Sequence, residues 1–184
     1  MPPVLWVLVP ILGAAIVHGP VLRFDLLRDL KRPLDGGATL RGRRIFGDNK
    51  TWRGAFSIVA GIMLAAVLLS WWPAYWTLLP LEVQRADPRV FGLLLGIGFV
   101  VGELPNSFLK RQLDIAPGSQ RRTLSGVLIS LYDQGDFVLG MWLTLAPIWV
   151  MTPLEALLAF VVAVGGHLIV NVLGYWIGAR KNML

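Results

Sequence analysis

Three short stretches of this sequence carry side chains that could do chemistry together. The first, Gly47-Asp48-Asn49-Lys50-Thr51-Trp52-Arg53-Gly54, puts small residues, hydrogen-bonding side chains and two cations where a helix is predicted to begin. Free N–H groups at a helix start, with Lys50, Thr51 and Arg53 beside them, suit a polyphosphate. The stretch is not a Walker loop, because Asn49 stands where glycine should precede the Lys-Thr pair and no strand leads in. The second is Gly102-Glu103-Leu104-Pro105-Asn106-Ser107-Phe108-Leu109-Lys110-Arg111. Here Glu103, Ser107, Lys110 and Arg111 fall at i, i+4, i+7 and i+8 on one helix face. That face offers an oxygen ligand at depth and two cations at its mouth, and Pro105 should loosen the turn between them. In the third, Asp133-Gln134-Gly135-Asp136, two carboxylates three residues apart at a helix start can grip one hard cation. Mg²⁺ takes oxygen ligands and is commonly shared with substrate phosphates.

Each stretch also has a plainer reading. The two aspartates can cap a helix and complement its dipole, and Glu103 can pair internally with Lys110 while Lys and Arg reach lipid phosphates. Arg41, Arg43 and Arg44 read as a juxtamembrane patch on anionic lipid. His18 reads as a structural polar contact.

The elements that must position these residues are membrane helices. Charged residues make up 15% of the 184-residue chain and hydrophobic ones 55%, with mean hydropathy +0.65. A soluble domain carries about 25% charged residues, so a water-facing coat is lacking. That excludes a soluble nucleic-acid binder despite the pI near 10.3. The lack of cysteine excludes disulfides, zinc–thiolate sites, iron–sulfur clusters and thiol nucleophiles.

Apolar blocks predict five spans, at about 3–22, 54–79, 90–109, 137–151 and 154–179. Trp71, Trp72, Tyr75 and Trp76 end the second as an interfacial aromatic belt. Of seventeen basic residues, only Arg85 and Arg89 fall outside the first loop, the third loop and the tail. The positive-inside rule therefore puts those three segments in the cytoplasm and the N-terminus outside. The expected fold is all-α: one integral, multi-pass domain over residues 1–184 in the cell membrane, with two long cytoplasmic loops. In the fifth span His167, Asn171 and Tyr175 share a face that packs against other helices, and Gly174 with Gly178 permits a homodimer.

Taken in order, the three stretches resemble the CDP-archaeol synthase family, a small relative of CDP-diacylglycerol synthase, and the resemblance extends over essentially the whole chain. Ser107, Lys110 and Arg111 are similar to a Ser-x-x-Lys-Arg pattern shared with the larger enzyme, and Asp133 and Asp136 resemble its closing Asp-Arg-x-Asp element. Three features depart from the pattern: Glu103 stands where many relatives carry Asp, Gln112 replaces a commonly basic residue, and the segment from Ser119 to Ser130 is longer and more apolar. The resemblance implies Mg²⁺-dependent transfer of CMP from CTP to a phosphorylated membrane lipid, ether- or ester-linked, with release of pyrophosphate. On that basis Glu103, Asp133 and Asp136 are expected to hold Mg²⁺, and Asp133, Asp136 and Lys110 to be catalytic. Asp48, Asn49, Lys50, Thr51, Arg53, Asn106, Ser107, Arg111 and Gln134 are expected to bind the CTP or lipid phosphates, on the cytoplasmic side.

Two rivals remain. A CDP-alcohol phosphotransferase needs a D-xx-D-G signature, but around Asp35-Gly36-Gly37 the earlier aspartate is Arg32. A transporter, or a scaffold that binds anionic lipid without catalysis, predicts that Glu103, Asp133 and Asp136 are dispensable.

Overall fold

The computed structural model describes residues 1–115 and 132–176, without the side chains of 167 and 170–176. Arg121, Arg122, Arg180 and Lys181 lie outside the described residues. So do the side chains of His167, Asn171 and Tyr175 and the Gly174/Gly178 seam.

The chain opens with α1 (Pro3–Val7), a 3₁₀ turn over Val9–Ile11 and α2 (Leu12–Arg23). Pro10, which has no N–H to donate, sits at the interruption, yet Pro3–Arg23 is together long and apolar enough to cross a membrane. Helix α3 (Trp52–Ser70) follows the first loop, then two short helices, α4 (Pro73–Trp76) and α5 (Leu81–Arg85). Next come α6 (Pro88–Gln112), α7 (Phe137–Leu145) and α8 (Pro153–Trp176).

Both α3 and α6 are also long and apolar enough to span, which makes three such helices among the described residues. The expected second span, 54–79, stays helical only to Ser70. Pro73 forces Trp72 into extended backbone, so the chain turns there. Trp71 and Trp72 are 74% and 60% exposed. Tyr75 instead turns inward and donates its hydroxyl to the Trp6 carbonyl (2.8 Å), while Trp76 packs edge-on against Phe91. The expected fourth span, 137–151, is helical only over Phe137–Leu145, which at 1.5 Å per residue covers about 14 Å of a ~30 Å core.

Helix α6 is central and packs against α3 on one side and α7 on the other; α2 lies against α3. Ile62, Ala66, Phe91, Leu95, Val138 and Met141 fill these contacts, while Ile16, Phe56, Leu68 and Leu143 face outward. Glycine makes the α6–α7 approach possible. A Cβ on Gly140 would lie 2.0 Å from the Gly98 carbonyl oxygen, and one on Gly102 would lie 2.5 Å from the Phe137 Cα. That contact sets the start of α7 directly beside Glu103 and Asn106.

The described fold is helical apart from one hairpin in the first loop, β1 (Thr39–Leu40) against β2 (Arg43–Arg44), with Thr39 opposite Arg44. Its two turn residues, Arg41 and Gly42, both have positive φ, the geometry that matches strand twist.

Candidate active site

The first loop is built around Asp35. Its side chain, 1% exposed, accepts from the N–H groups of Gly37 (3.0 Å), Phe46 (2.9 Å) and Gly47 (3.1 Å) and from the Arg44 guanidinium (2.7 Å). Burial pushes the Asp35 carboxyl up, but Arg44 and the three N–H donors outweigh it and hold the group well below the usual carboxylate range. The Arg44 guanidinium is raised in turn, by Asp35 first and Asp48 second. Backbone bonds from Leu34 to the Lys50 carbonyl (2.7 Å) and from Trp52 to the Arg32 carbonyl (3.0 Å) tie this loop to the start of α3. Sequence reasoning missed Asp35 as the hub. The Asp-Gly-Gly run was the available signal, because an aspartate readily bonds the N–H two residues on.

Arg43 and Arg44 correct the lipid-patch expectation. Arg43 donates to the Gln112 carbonyl and to Asp114 (both 2.5 Å), clamping the hairpin to the end of α6, while Arg44 joins Asp35 and Asp48.

From this loop the first stretch reaches the site. Thr51 caps α3, accepting from the Gly54 N–H (3.1 Å). Arg53, buried in the first turn, pairs with Asp25 (2.6 Å) and holds that carboxyl low. Ser57 donates to the Arg53 carbonyl (2.8 Å) and lies 2.7 Å from His18 Nδ1, the polar contact expected of that histidine. Lys50 points across to α6 and donates to Glu103 Oε2, with the two side chains 22% and 26% exposed. Between α2, α3, α6 and the loop lies a cleft of about 780 Å³. Ala14, Leu22, Ile58 and Phe99 form its apolar wall, and Lys31, Asp48, Asn49, Lys50, Thr51, Arg53 and Glu103 line its polar part.

The second and third stretches meet around Asn106. Fully buried at 1% exposure, it donates from Nδ2 to Asp133 (2.6 Å) and to Asp136 (2.9 Å). Both amide hydrogens are thereby engaged, so Asn106 brackets the two carboxylates and does not offer a donor to a phosphate. Lys110 pairs with Asp133 at 2.5 Å. Although Asp136 occupies the position before α7, its side chain makes no capping bond, which removes the plainer reading for that residue. Among the described residues, Asp136 Oδ1 and Asn106 Oδ1 are buried acceptors without a hydrogen-bond partner. Ser107 and Gln134 are buried in the same region.

The expected single face of Glu103, Ser107, Lys110 and Arg111 is divided among partners: Glu103 meets Lys50 and Lys110 meets Asp133. Arg111 donates to the Ile115 carbonyl (2.6 Å) and lies against Gly47, where a Cβ would sit 3.3 Å from its Nε. Gly47 has φ +90°, a conformation glycine favours. The expected carboxylate set is likewise distributed. Asp133 and Asp136 share Asn106, Glu103 is held by Lys50, and no three acidic or histidine side chains close around one cation position among the described residues.

The geometry can therefore hold a polyanion between lysine and arginine side chains, beside oxygen ligands that lack donors and an apolar cleft. The sequence model of the CarS-like CDP-archaeol synthase family matches residues 4–183. A CDP-archaeol synthase of Methanosarcina mazei is 33% identical over 166 residues, covering 82% of this chain and 89% of the relative. One from Halobacterium salinarum is 36% identical over 158 residues, covering 82% of each. A solved structure, described as an intramembrane enzyme for archaeal membrane lipids biosynthesis, superposes with a TM-score of 0.65 at 27% identity and covers 91% of both chains.

Proposed function

The chain belongs to the CDP-archaeol synthase family, and on that premise we propose that it transfers CMP from CTP to a phosphorylated two-chain glycerolipid, releasing pyrophosphate. One observation carries the reading. Three stretches far apart in sequence meet through direct contacts, Lys50 with Glu103, Asn106 with Asp133 and Asp136, and Lys110 with Asp133.

In the reaction an oxygen of the lipid phosphate attacks the α-phosphorus of CTP as the bond to the β-phosphate breaks. Such transfers need positioning and charge neutralisation more than covalent help from the protein. Lys50 and Arg53, near the start of α3, and Lys110 and Arg111, at the end of α6, would bind the two sets of phosphates. The Thr51 hydroxyl, which caps through its oxygen, keeps a proton to donate. The apolar wall of the cleft suits hydrocarbon next to a charged head.

The oxygen-rich donor set fits Mg²⁺, and the two buried acceptors without donors support that assignment. Asp133 and Asp136, held side by side by Asn106, would be the ion's first ligands, with Glu103 joining them only once Lys50 is drawn off it, and the ion would neutralise charge on the triphosphate and the leaving pyrophosphate. Five spans, an outside N-terminus and a site on the cytoplasmic face of the cell membrane complete the proposal, supported by the distribution of basic residues.

The test is pyrophosphate release by purified protein with CTP, with and without Mg²⁺, using a di-ether glycerol phosphate or a diacyl phosphatidate. The expected result is release that requires lipid and metal, with the faster lipid naming the acceptor. Folded protein that releases nothing with either lipid overturns the reading in favour of the transporter or scaffold.

A further inference from the structure

Two lysines of the phosphate-binding stretches do not face open solvent or the cleft alone. Lys50 lies on Glu103 and Lys110 on Asp133. Asp136 has no lysine. Asn106 holds one of its oxygens, and the other is buried without a donor. Three carboxylates therefore share two ammonium counterions, and the unmatched position is the most buried of the three.

We infer that Lys50 and Lys110 are resident counterions of this carboxylate cluster, exchanged for a divalent cation when a polyphosphate arrives, so that cation and nucleotide bind with strong positive coupling. The inference rests on the proposed cytidylyltransferase reading and adds how its two ligands depend on one another.

The electrostatics set the direction. A cation arriving alone gains Asp136 but competes with an ammonium at both Glu103 and Asp133. Completing the site without a polyphosphate would leave two lysines partly buried and unpaired, which is costly. A polyphosphate arriving alone can draw the lysines away only by exposing three adjacent carboxylates to one another. When both arrive, every charge finds a partner: the cation takes the carboxylates, and the lysines take phosphate oxygens. Lysine suits this exchange because its charge sits at the end of a flexible four-carbon stem, and Lys50 already lines the cleft beside Arg53. Asn106 suits it because it keeps Asp133 and Asp136 side by side whichever cation they hold. By linkage, the factor by which the nucleotide tightens the cation equals the factor by which the cation tightens the nucleotide.

The exchange makes an unusual prediction: deleting a lysine should improve metal binding. The experiment titrates Mn²⁺, followed by its electron paramagnetic resonance signal, into detergent-solubilised full-length protein without nucleotide. Lys50→Met should bind Mn²⁺ about tenfold more tightly than the unsubstituted protein, and Lys110→Met should shift in the same direction, which covers the case that one variant fails to fold. Lys31→Met serves as the charge-matched control. Lys31 lines the cleft but pairs with Asp25 (3.8 Å), so its affinity should change by less than about twofold. Unchanged or weaker affinity in the two cluster variants overturns the exchange while leaving the proposed activity standing. If none of the folded proteins binds Mn²⁺, the metal assignment fails in both.

Discussion

The two walls of the candidate site treat their buried carboxylates in opposite ways. In the first loop, Asp35 is surrounded by four donors and tied to a guanidinium. At the α6–α7 junction, Asp136 is more deeply buried but receives one amide donor, and two acceptor oxygens there have none. A buried acceptor without a donor costs free energy, and the proposed cation would supply the missing positive charge. The comparison separates a carboxylate that builds a loop from one that, on the proposed reading, waits for a ligand.

The sharpest way to break that comparison is to neutralise the waiting group. Asp136→Asn should lower turnover by about a thousandfold, comparable to losing a key electrostatic contact in other enzymes. Because it removes a buried charge beside Glu103 and Asp133, the melting temperature should hold or rise. Near-normal turnover in a folded Asp136→Asn protein would return Asp136 to a structural role.

The building carboxylate should behave in reverse. Asp35→Ala leaves three N–H groups without their acceptor and Arg44 with Asp48 alone, which should loosen the first loop. Rapid proteolysis of the first loop is the expected signature, with activity falling in step. An Asp35→Ala protein that resists protease as well as the parent would remove Asp35 as the hub.

A smaller effect is expected at the boundary between the walls. Lys110→Ala should lower kcat/KM about tenfold, in line with loss of one charge-assisted contact. An unchanged rate across a full substrate titration would take Lys110 out of the site.

The smallest expected effect is that of mild acid on the first loop. The folded carboxyl of Asp35 is held below its unfolded value of about 3.9. Its stabilisation is therefore complete above that value and is lost only as pH falls toward the folded one. Protease protection of residues 35–47 should be the same at pH 7 and pH 5 and decline only below about pH 4. Loss of protection between pH 7 and pH 5 would contradict the hydrogen-bonding seen around Asp35.

Much of the site was legible before the fold. Lys50 is legible from a helix start that suits phosphate, Glu103 and Lys110 from their shared helix face, and Asp133 and Asp136 from their three-residue spacing, and the structure links the five through Asn106 and two ion pairs. Less legible was the partnership of each group. Helical spacing places Glu103, Lys110 and Arg111 on one face, yet the first loop brings Lys50 to Glu103, the segment before α7 brings Asp133 to Lys110, and Arg111 turns back to the Ile115 carbonyl just past its own helix. Arg43 and Arg44 looked like lipid-facing charge because their partners, Gln112, Asp114 and Asp35, are set by the docking of a hairpin and not by local sequence. The second apolar block looked continuous because hydropathy does not register the Pro73 turn.

Hydropathy, the positions of charge and three motifs were enough by themselves to determine a helical membrane protein, its family and the residue types of its candidate site. These follow from transfer free energies and from the donor chemistry of side chains, which are local properties. Only the tertiary structure decided that Asn106 is a bracket, that Asp35 has four donors while Asp136 has one, and that each cluster lysine lies on a carboxylate. Those outcomes depend on how closely backbones approach, as at Gly102 and Gly140, and on which donors the approach leaves within reach. No single segment of the chain contains that information.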